Sequence, residues 1–261
     1  MGHQLMGFLP RTRPWRKVIG LLEDGAAADQ LSAATYQAAK GGLKTAAQDV
    51  ALVHSFWLLT QIPLAAHKEN FAQELQGRGL NVSNKPTLLE IASAFSDTVE
   101  RYARRHGGRT DLGEMAQLAA TESLTALSSE KTPTLFGVTA SAVQKSLGKF
   151  STEQRFGVLA RDFFARLTRR YLMYFLSREL PKHVGEKRRF HNIEDHTEFV
   201  QALETHCVQT SLIVERFAGE WFSKTEYVSG ITEERAKGFV YVAMKKLGAE
   251  LAMREEGGHG Q

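Results

Sequence analysis

The sequence has little of what a disulfide-bonded or β-rich protein needs. Its 261 residues include one cysteine, Cys207, so no disulfide can form within the chain, and this favours a reducing compartment such as the cytoplasm. There are only 6 prolines, and alternating runs of Val, Ile and Thr are almost absent, so strands are not expected. No short apolar run ending in small residues lies near the amino terminus, so no signal peptide is predicted.

The motifs of several enzyme classes are also missing. The sequence contains no GxxxxGK[ST] phosphate loop, no HExxH zinc motif and no serine nucleophile elbow. The glycine pairs at 41–42 and 107–108 follow predicted helices, where glycine serves as a left-handed cap. These absences favour a protein without its own catalytic centre, and no cofactor is predicted.

Only one apolar stretch is long enough to raise the question of a membrane. Residues 50–66 are at the lower limit for crossing a bilayer, and they include His54, Gln61 and Pro63. Because polar residues interrupt this stretch, it is predicted to be a buried core helix, with no integral membrane insertion.

What the sequence does contain is helical periodicity. Between residues 156 and 180, large apolar residues recur every three or four positions and make one stripe on a helix. Residues 171–176 have no polar side at all, so this part of the helix is predicted to be covered all round. Elsewhere Thr87 and Glu90 have the spacing of a capping box, and Asn192 stands where it can cap a later helix.

These patterns predict an all-α fold, a bundle of roughly eight to ten helices with long antiparallel helices in the C-terminal half. The predicted organisation is an extended basic arm at 1–14, a helical subdomain at 15–130, a long-helix bundle at 139–256 and a disordered tail at 257–261. The boundary between the two helical parts is expected in a loop at 128–138.

Charge is unevenly distributed along the chain. The formal net charge is +4, but residues 11–17 hold four basic residues and no acid, and residues 161–189 hold nine basic residues against three acids. The remainder of the chain is therefore net acidic. Segregation of this kind indicates a surface for an anionic partner better than the net charge does.

The basic segments supply the predicted polyanion-binding residues. Arginine suits this role because its planar guanidinium can bind a phosphate through two hydrogen bonds, and an aromatic ring among cations can stack on an unpaired base. The alternative left open is a solvated helix face, or ion pairs with acids of neighbouring helices. The predicted set is Arg11, Arg13, Trp15, Arg16, Lys17, Arg161, Arg166, Arg169, Lys187, Arg188 and Arg189.

A histidine cluster supports an alternative, a metal site made by His183, His191, Asp195, His196 and His206. Imidazole and carboxylate are common ligands of hydrolytic metal centres. On a helix, His191 and Asp195 at spacing i, i+4 share a face, but His196 and His206 point elsewhere. The simpler interpretation is that these are exposed or capping histidines.

Two single residues, His54 and Cys207, each allow a structural interpretation and a catalytic one. His54 stands one turn from Trp57 on the apolar helix, which is typical of a core histidine packed on an aromatic ring; the alternative is a buried proton-transfer residue. Cys207 lies on an apolar stripe and is predicted to be a small core residue rather than a nucleophile.

Together these observations favour a non-catalytic binding or assembly subunit of a larger complex. It would bind a protein partner through a helix face and present its basic surface to nucleic acid or to an acidic partner. One alternative is a metal-dependent phosphohydrolase that uses the histidine cluster at 183–206. A second is a peripheral membrane protein, which requires the apolar stretch at 50–66 to be exposed. The pattern leaves the oligomeric state open.

Overall fold

The computed structural model of the chain describes residues 9–43, 46–129 and 139–257. Within these ranges the regular structure is helical, with short 3₁₀ turns between some α-helices and no β-strand. The predicted all-α bundle is therefore confirmed.

The α-helices vary in length from two turns to seven, and the longest lie in the C-terminal half. Their bounds are α1 (Arg13–Glu23), α2 (Ala28–Leu43), α3 (Val50–Ala65), α4 (Phe71–Gly77), α5 (Leu88–Arg105), α6 (Asp111–Ser129), α7 (Ala140–Gly148), α8 (Glu153–Leu176), α9 (Ile193–Thr210), α10 (Leu212–Ser229) and α11 (Glu233–Gly257). Only Ser211 separates α9 from α10, so these two form one long bent helix.

Several helices begin where the sequence predicts. The Thr87 hydroxyl accepts a hydrogen bond from the backbone N–H of Glu90, whose carboxylate accepts one from the backbone N–H of Thr87. This is the predicted capping box, which satisfies two backbone donors that the first turn of a helix leaves without partners. The Asn192 side chain caps α9 by accepting from the backbone N–H of Asp195 at 2.8 Å.

The amino-terminal region differs from the predicted extended arm. Helix α1 begins at Arg13, and Pro14 lies in its first turn. Proline is well tolerated there because its missing N–H would have no helical partner in any case. Residues 1–8 and 258–261, parts of the predicted arm and of the predicted tail, lie outside the described residues.

The chain divides into two compact units, and neither is continuous in sequence. Of the described residues, the first unit contains 9–43, 165–213 and 243–257, and the second unit contains 46–129, 139–164 and 214–242. The predicted boundary at 128–138 lies mostly outside the described residues and stays a prediction. Sequence composition could not indicate this division, because each unit joins segments that are distant along the chain.

In the second unit, α3 is a core helix, as predicted. All but three of its 16 residues are buried. Its Phe56 is fully buried in a group of rings, with the ring of Phe239 stacked in parallel at a centroid distance of 4.9 Å. The other rings within 6.3 Å of Phe56 are those of Phe156, Phe163, Phe164 and Trp221.

Helices α8 and α10 cross at very short range within this unit. An ideal Cβ placed on Gly219 would lie 2.2 Å from the backbone oxygen of Glu153, and one placed on Gly157 would lie 2.9 Å from that of Glu215. Contacts that pair the start of α8 with the later part of α10 mean that the two helices are antiparallel. Only glycine at these positions lets the two backbones come so close.

In the first unit, the covered part of α8 is also as predicted. None of residues 171–176 is exposed. The ring of Phe175 packs on Trp15 at a centroid distance of 4.6 Å, and the Tyr171 hydroxyl donates to the backbone oxygen of Ala39 at 3.0 Å. Tyr171 and Phe175 of this run therefore face neighbouring helices rather than water.

The α8–α10 crossing gives a stability prediction. We expect Gly219→Ala to lower the free energy of unfolding by about 1–3 kcal/mol, because the added methyl group overlaps the backbone of Glu153. The matched control is Gly238→Ala in α11, where an added Cβ meets no atom within 4 Å. This control should raise the free energy of unfolding by about 0.5–1 kcal/mol, because alanine is the better helix former. Urea unfolding followed by circular dichroism measures both, and equal effects would contradict the close crossing.

Candidate functional site

The predicted basic residues are divided between the two compact units. In the second unit, Arg161 Nη1 lies 2.9 Å from Glu215 Oε2. In the first unit, Arg169 Nε lies 3.4 Å from Glu204 Oε2, and Arg166 is half-buried and also has a partner. For Arg161 and Arg169 the structure therefore agrees with the alternative of ion pairs with neighbouring helices.

Arg189 closes a helix instead of facing a ligand. Its guanidinium donates to the backbone oxygen of Leu22 at 3.2 Å and to that of Ala26, and it lies 4.5 Å from the centroid of the Phe199 ring. A cation at the carboxyl end of α1 satisfies carbonyl groups that the helix leaves without partners. Burial lowers the pKa of Arg189, which reflects the desolvation of this position.

Trp15 cannot serve as a stacking platform in this structure. Its side chain is only 3% exposed, against Phe175. A base could reach the indole only if α1 left its place, so the predicted role of Trp15 in base stacking is not supported.

What remains exposed is a smaller cationic group in the first unit. Arg11, Arg13 and Arg16 surround the first turn of α1, are exposed, and form no ion pair among the described residues. We call these three the cationic end of α1. Lys17 beside them is exposed and has a partner. In the loop before α9, Lys187 and Arg188 are exposed, and Arg188 donates to the backbone oxygen of Lys182.

The histidine cluster does not assemble. His206 is buried on α9, whereas His191 is exposed, and the carboxylate of Asp195 accepts from the backbone N–H of His191 at 2.9 Å. His196 packs edge-on against the Phe190 ring at 5.5 Å. Across 9–43, 46–129 and 139–257, no three His, Cys, Asp or Glu side chains are placed to hold a metal ion. The side chains of His183, His191, Asp195, His196 and His206 are therefore not brought together in the way that the metal-site alternative requires.

A polar cluster that the sequence did not predict lies in the second unit. His54 on α3 contacts the carboxylate of Glu233, the first residue of α11, with Nδ1 and Oε1 3.0 Å apart. The Tyr102 hydroxyl donates to the other oxygen of the same carboxylate. The His54 ring stacks in parallel on Tyr102 at 3.8 Å and lies 5.3 Å from Trp57, so the predicted core histidine packed on an aromatic ring is confirmed.

The electrostatics of this cluster favour a neutral histidine. Burial lowers the pKa of His54 and outweighs the opposite effect of Glu233, while His106 lowers it further. Because the carboxylate can only accept, Nδ1 of His54 carries the hydrogen and Nε2 is left as a buried nitrogen with no hydrogen-bond partner. Burial and the bond to Glu233 raise the pKa of Tyr102 to about 12, so Tyr102 remains a donor.

This pair resembles the oriented base of a catalytic dyad but lacks access. In a general base held by a carboxylate, the second ring nitrogen must reach the substrate. His54 is only 4% exposed, and its Nε2 has essentially no accessible surface. The arrangement therefore supports a structural role, in which α3 holds the start of α11, rather than proton transfer.

A serine and a histidine also meet at an open cleft of about 480 Å³ that Lys68 and Arg78 help to line. Nε2 of His67 lies 3.1 Å from the backbone oxygen of Gly148 and also contacts Oγ of Ser151. A carbonyl oxygen only accepts, so Nε2 carries a hydrogen and cannot take a proton from the serine. The pair does not have the geometry of an activated nucleophile.

The structure does not support a membrane role for α3. Among the described residues, no helix is both long enough and apolar enough to cross a bilayer. The peripheral alternative needs the stretch at 50–66 to be exposed, whereas all but three of the 16 residues of α3 are buried.

Comparison with protein-family models, with curated proteins and with solved structures finds no match for this chain.

The His54 cluster predicts how stability depends on pH. Because the pKa of His54 is lower in the folded chain, the unfolded chain binds the proton first as the pH falls through about 6.5. This contribution to stability is therefore complete above pH 6.5 and is lost on acidification, with a slope of at most about 1.4 kcal/mol per pH unit. We expect His54→Asn, which keeps a donor near Glu233 but does not titrate, to lose this slope.

Urea unfolding at intervals between pH 5 and 8 measures the slope for each protein. His191→Asn, at an exposed histidine, is the matched control and should keep the wild-type slope. If His54→Asn and the wild type have the same pH dependence, the buried histidine is not the group responsible.

Proposed function

We propose that the chain is a non-catalytic binding or assembly subunit of a larger complex. In this proposal the cationic end of α1 contacts an anionic partner, either nucleic acid or an acidic protein, and the complex acts in the cytoplasm. The observation that carries the proposal is that Arg11, Arg13 and Arg16 are exposed and form no ion pair among the described residues.

The position of these arginines adds to their charge. They surround the amino terminus of α1, where the helix dipole is positive and the first backbone N–H groups have no helical acceptor. The first turn contains no acidic residue, and the Thr12 side chain makes no capping hydrogen bond. An anion here would meet both guanidinium groups and free backbone donors, an arrangement that favours phosphate or carboxylate.

The chemistry of the other candidate groups supports a role without catalysis. The Nε2 atom of His54 is buried, and the His67 nitrogen that faces Ser151 is the one that donates a hydrogen bond to Gly148. Cys207 is 1% exposed, and burial raises the pKa of its thiol to about 12, so it stays protonated and unreactive. A single buried thiol is also compatible with a reducing compartment.

A salt series tests the anionic contact. We expect the chain to bind a fluorescent 20-base-pair duplex, with a logarithmic affinity that falls linearly as the logarithm of the salt concentration rises. The triple variant Arg11→Ala, Arg13→Ala, Arg16→Ala should bind more weakly and should reduce the slope by about 2–3, because each lost phosphate contact accounts for roughly 0.9. Because Trp15 is buried, single strands should bind no better than duplexes.

The control removes the same charge elsewhere. Arg105→Ala, Arg216→Ala, Lys237→Ala takes three exposed cations from the second unit and should leave the slope nearly unchanged. A parallel titration with polyglutamate separates the two classes of partner, since an acidic protein site would bind it at least as well as the duplex. Equal losses in both triple variants, or no binding of either polyanion at low salt, would remove the proposal.

A further inference from the structure

Helices α10 and α11 leave an apolar groove open on the second unit. The two helices are antiparallel, with Phe217 and Trp221 of α10 on one side and Phe239 and Val242 of α11 on the other. The Trp221 ring lies 4.4 Å from that of Phe239, and the open volume is about 330 Å³. Trp221 and Phe217 are only half-buried, and Val242 is 39% exposed. Apolar area of this kind in water favours association.

Two hydrogen-bond donors at this groove have no acceptor among the described residues. Arg235, at the end of the groove near Thr225, is exposed and has no ion pair. Within the described part of the chain the indole N–H of Trp221 has no acceptor, whereas that of Trp57 donates to the backbone oxygen of Ile231 at 2.9 Å. No acidic residue lines the groove, so the charge of Arg235 has no complement there. A partner that complements the groove would have an apolar surface with a carboxylate beside it.

The dimensions of the groove fit a short helix. From Arg235 to Val242 along α11 is two helical turns, about 10 Å. Between them Gly238 is exposed, and a Cβ placed on it would meet no atom within 4 Å, so a partner backbone can approach closely at this point. Tyr241, 57% exposed, follows on the same helix and can extend the apolar contact.

We propose that this groove docks a short amphipathic helix of a protein partner, with its apolar side chains on Phe217, Trp221 and Val242 and an acidic residue at Arg235. Recognition of this type relies on apolar anchors spaced i, i+4 and i+7, and the carboxylate fixes the direction of the bound helix. The site goes beyond the proposed anionic contact, because it lies in the other unit and uses apolar burial as well as charge.

Selection from a random library tests the proposal directly. The probe is a displayed library of 16-residue peptides selected on the full chain. Enriched peptides should contain large apolar residues at helical spacing, with Asp or Glu within one turn of one end. In fluorescence anisotropy, replacing that acid by Lys should weaken binding at least tenfold. Arg235→Glu should reverse this preference, so that the Lys peptide binds more tightly than its acidic parent.

Two further variants complete the test. Val242→Glu places a charge in the groove at a partly exposed position and should reduce binding of every enriched peptide at least tenfold. Arg216→Glu makes the same charge change as Arg235→Glu at an exposed site on α10 outside the groove lining, and it should change nothing. Circular dichroism confirms that each variant is folded.

Three outcomes would overturn the proposal. The first is a selection that yields no peptide sensitive to Val242→Glu. The second is binding in which Arg235→Glu and Arg216→Glu behave alike, since this would remove the acidic contact. The third is sedimentation showing that the chain self-associates and that Val242→Glu makes it monomeric, since the occupant would then be a second copy of this chain.

Discussion

The close crossing of α8 and α10 is the constraint on which much of the second unit depends. Gly157 and Gly219 let the two backbones approach to contact distance, so the rings of Phe156 and Phe222 stack at 4.0 Å. The same approach brings the guanidinium of Arg161 within reach of Glu215. A larger side chain at either glycine would separate the helices and loosen the ring packing around Phe56. An arginine that looks outward on its own helix is thus satisfied by a neighbour.

Three polar residues of α3, His54, Trp57 and Gln61, hold the turn between α10 and α11. Trp57 and Gln61 both donate to the backbone oxygen of Ile231, and His54 contacts Glu233 two residues later. Such groups are costly inside an apolar helix unless they find partners. Here they pair with a turn whose carbonyl would otherwise be buried without a donor. These hydrogen bonds therefore fix the turn that joins α10 to α11, the two helices that line the apolar groove.

Sequence periodicity predicted which face of each helix is buried and where some helices begin. It did not predict which distant residues contact that face. The helical class, the cap at Thr87 and the burial of α3 all depend on patterns within one segment, and all were predictable. The contact between His54 and Glu233 joins positions 179 residues apart, and no local pattern signals it. The burial of Trp15 could not be predicted for the same reason, because the ring that covers it belongs to Phe175, which is distant in sequence.

Charge in a sequence therefore overstates the charge that a partner meets. Arg161 and Arg169 are matched by acids, and Arg189 is matched by backbone carbonyls of α1 and the following turn, so these cations contribute to the fold. Among the described residues, the exposed cations without an acidic partner include three arginines around the first turn of α1, and Arg235 beside an apolar groove. A guanidinium without an acid costs little in water, so folding alone does not require a cation at these sites. They are accordingly the positions at which we propose that a partner's carboxylates or phosphates bind.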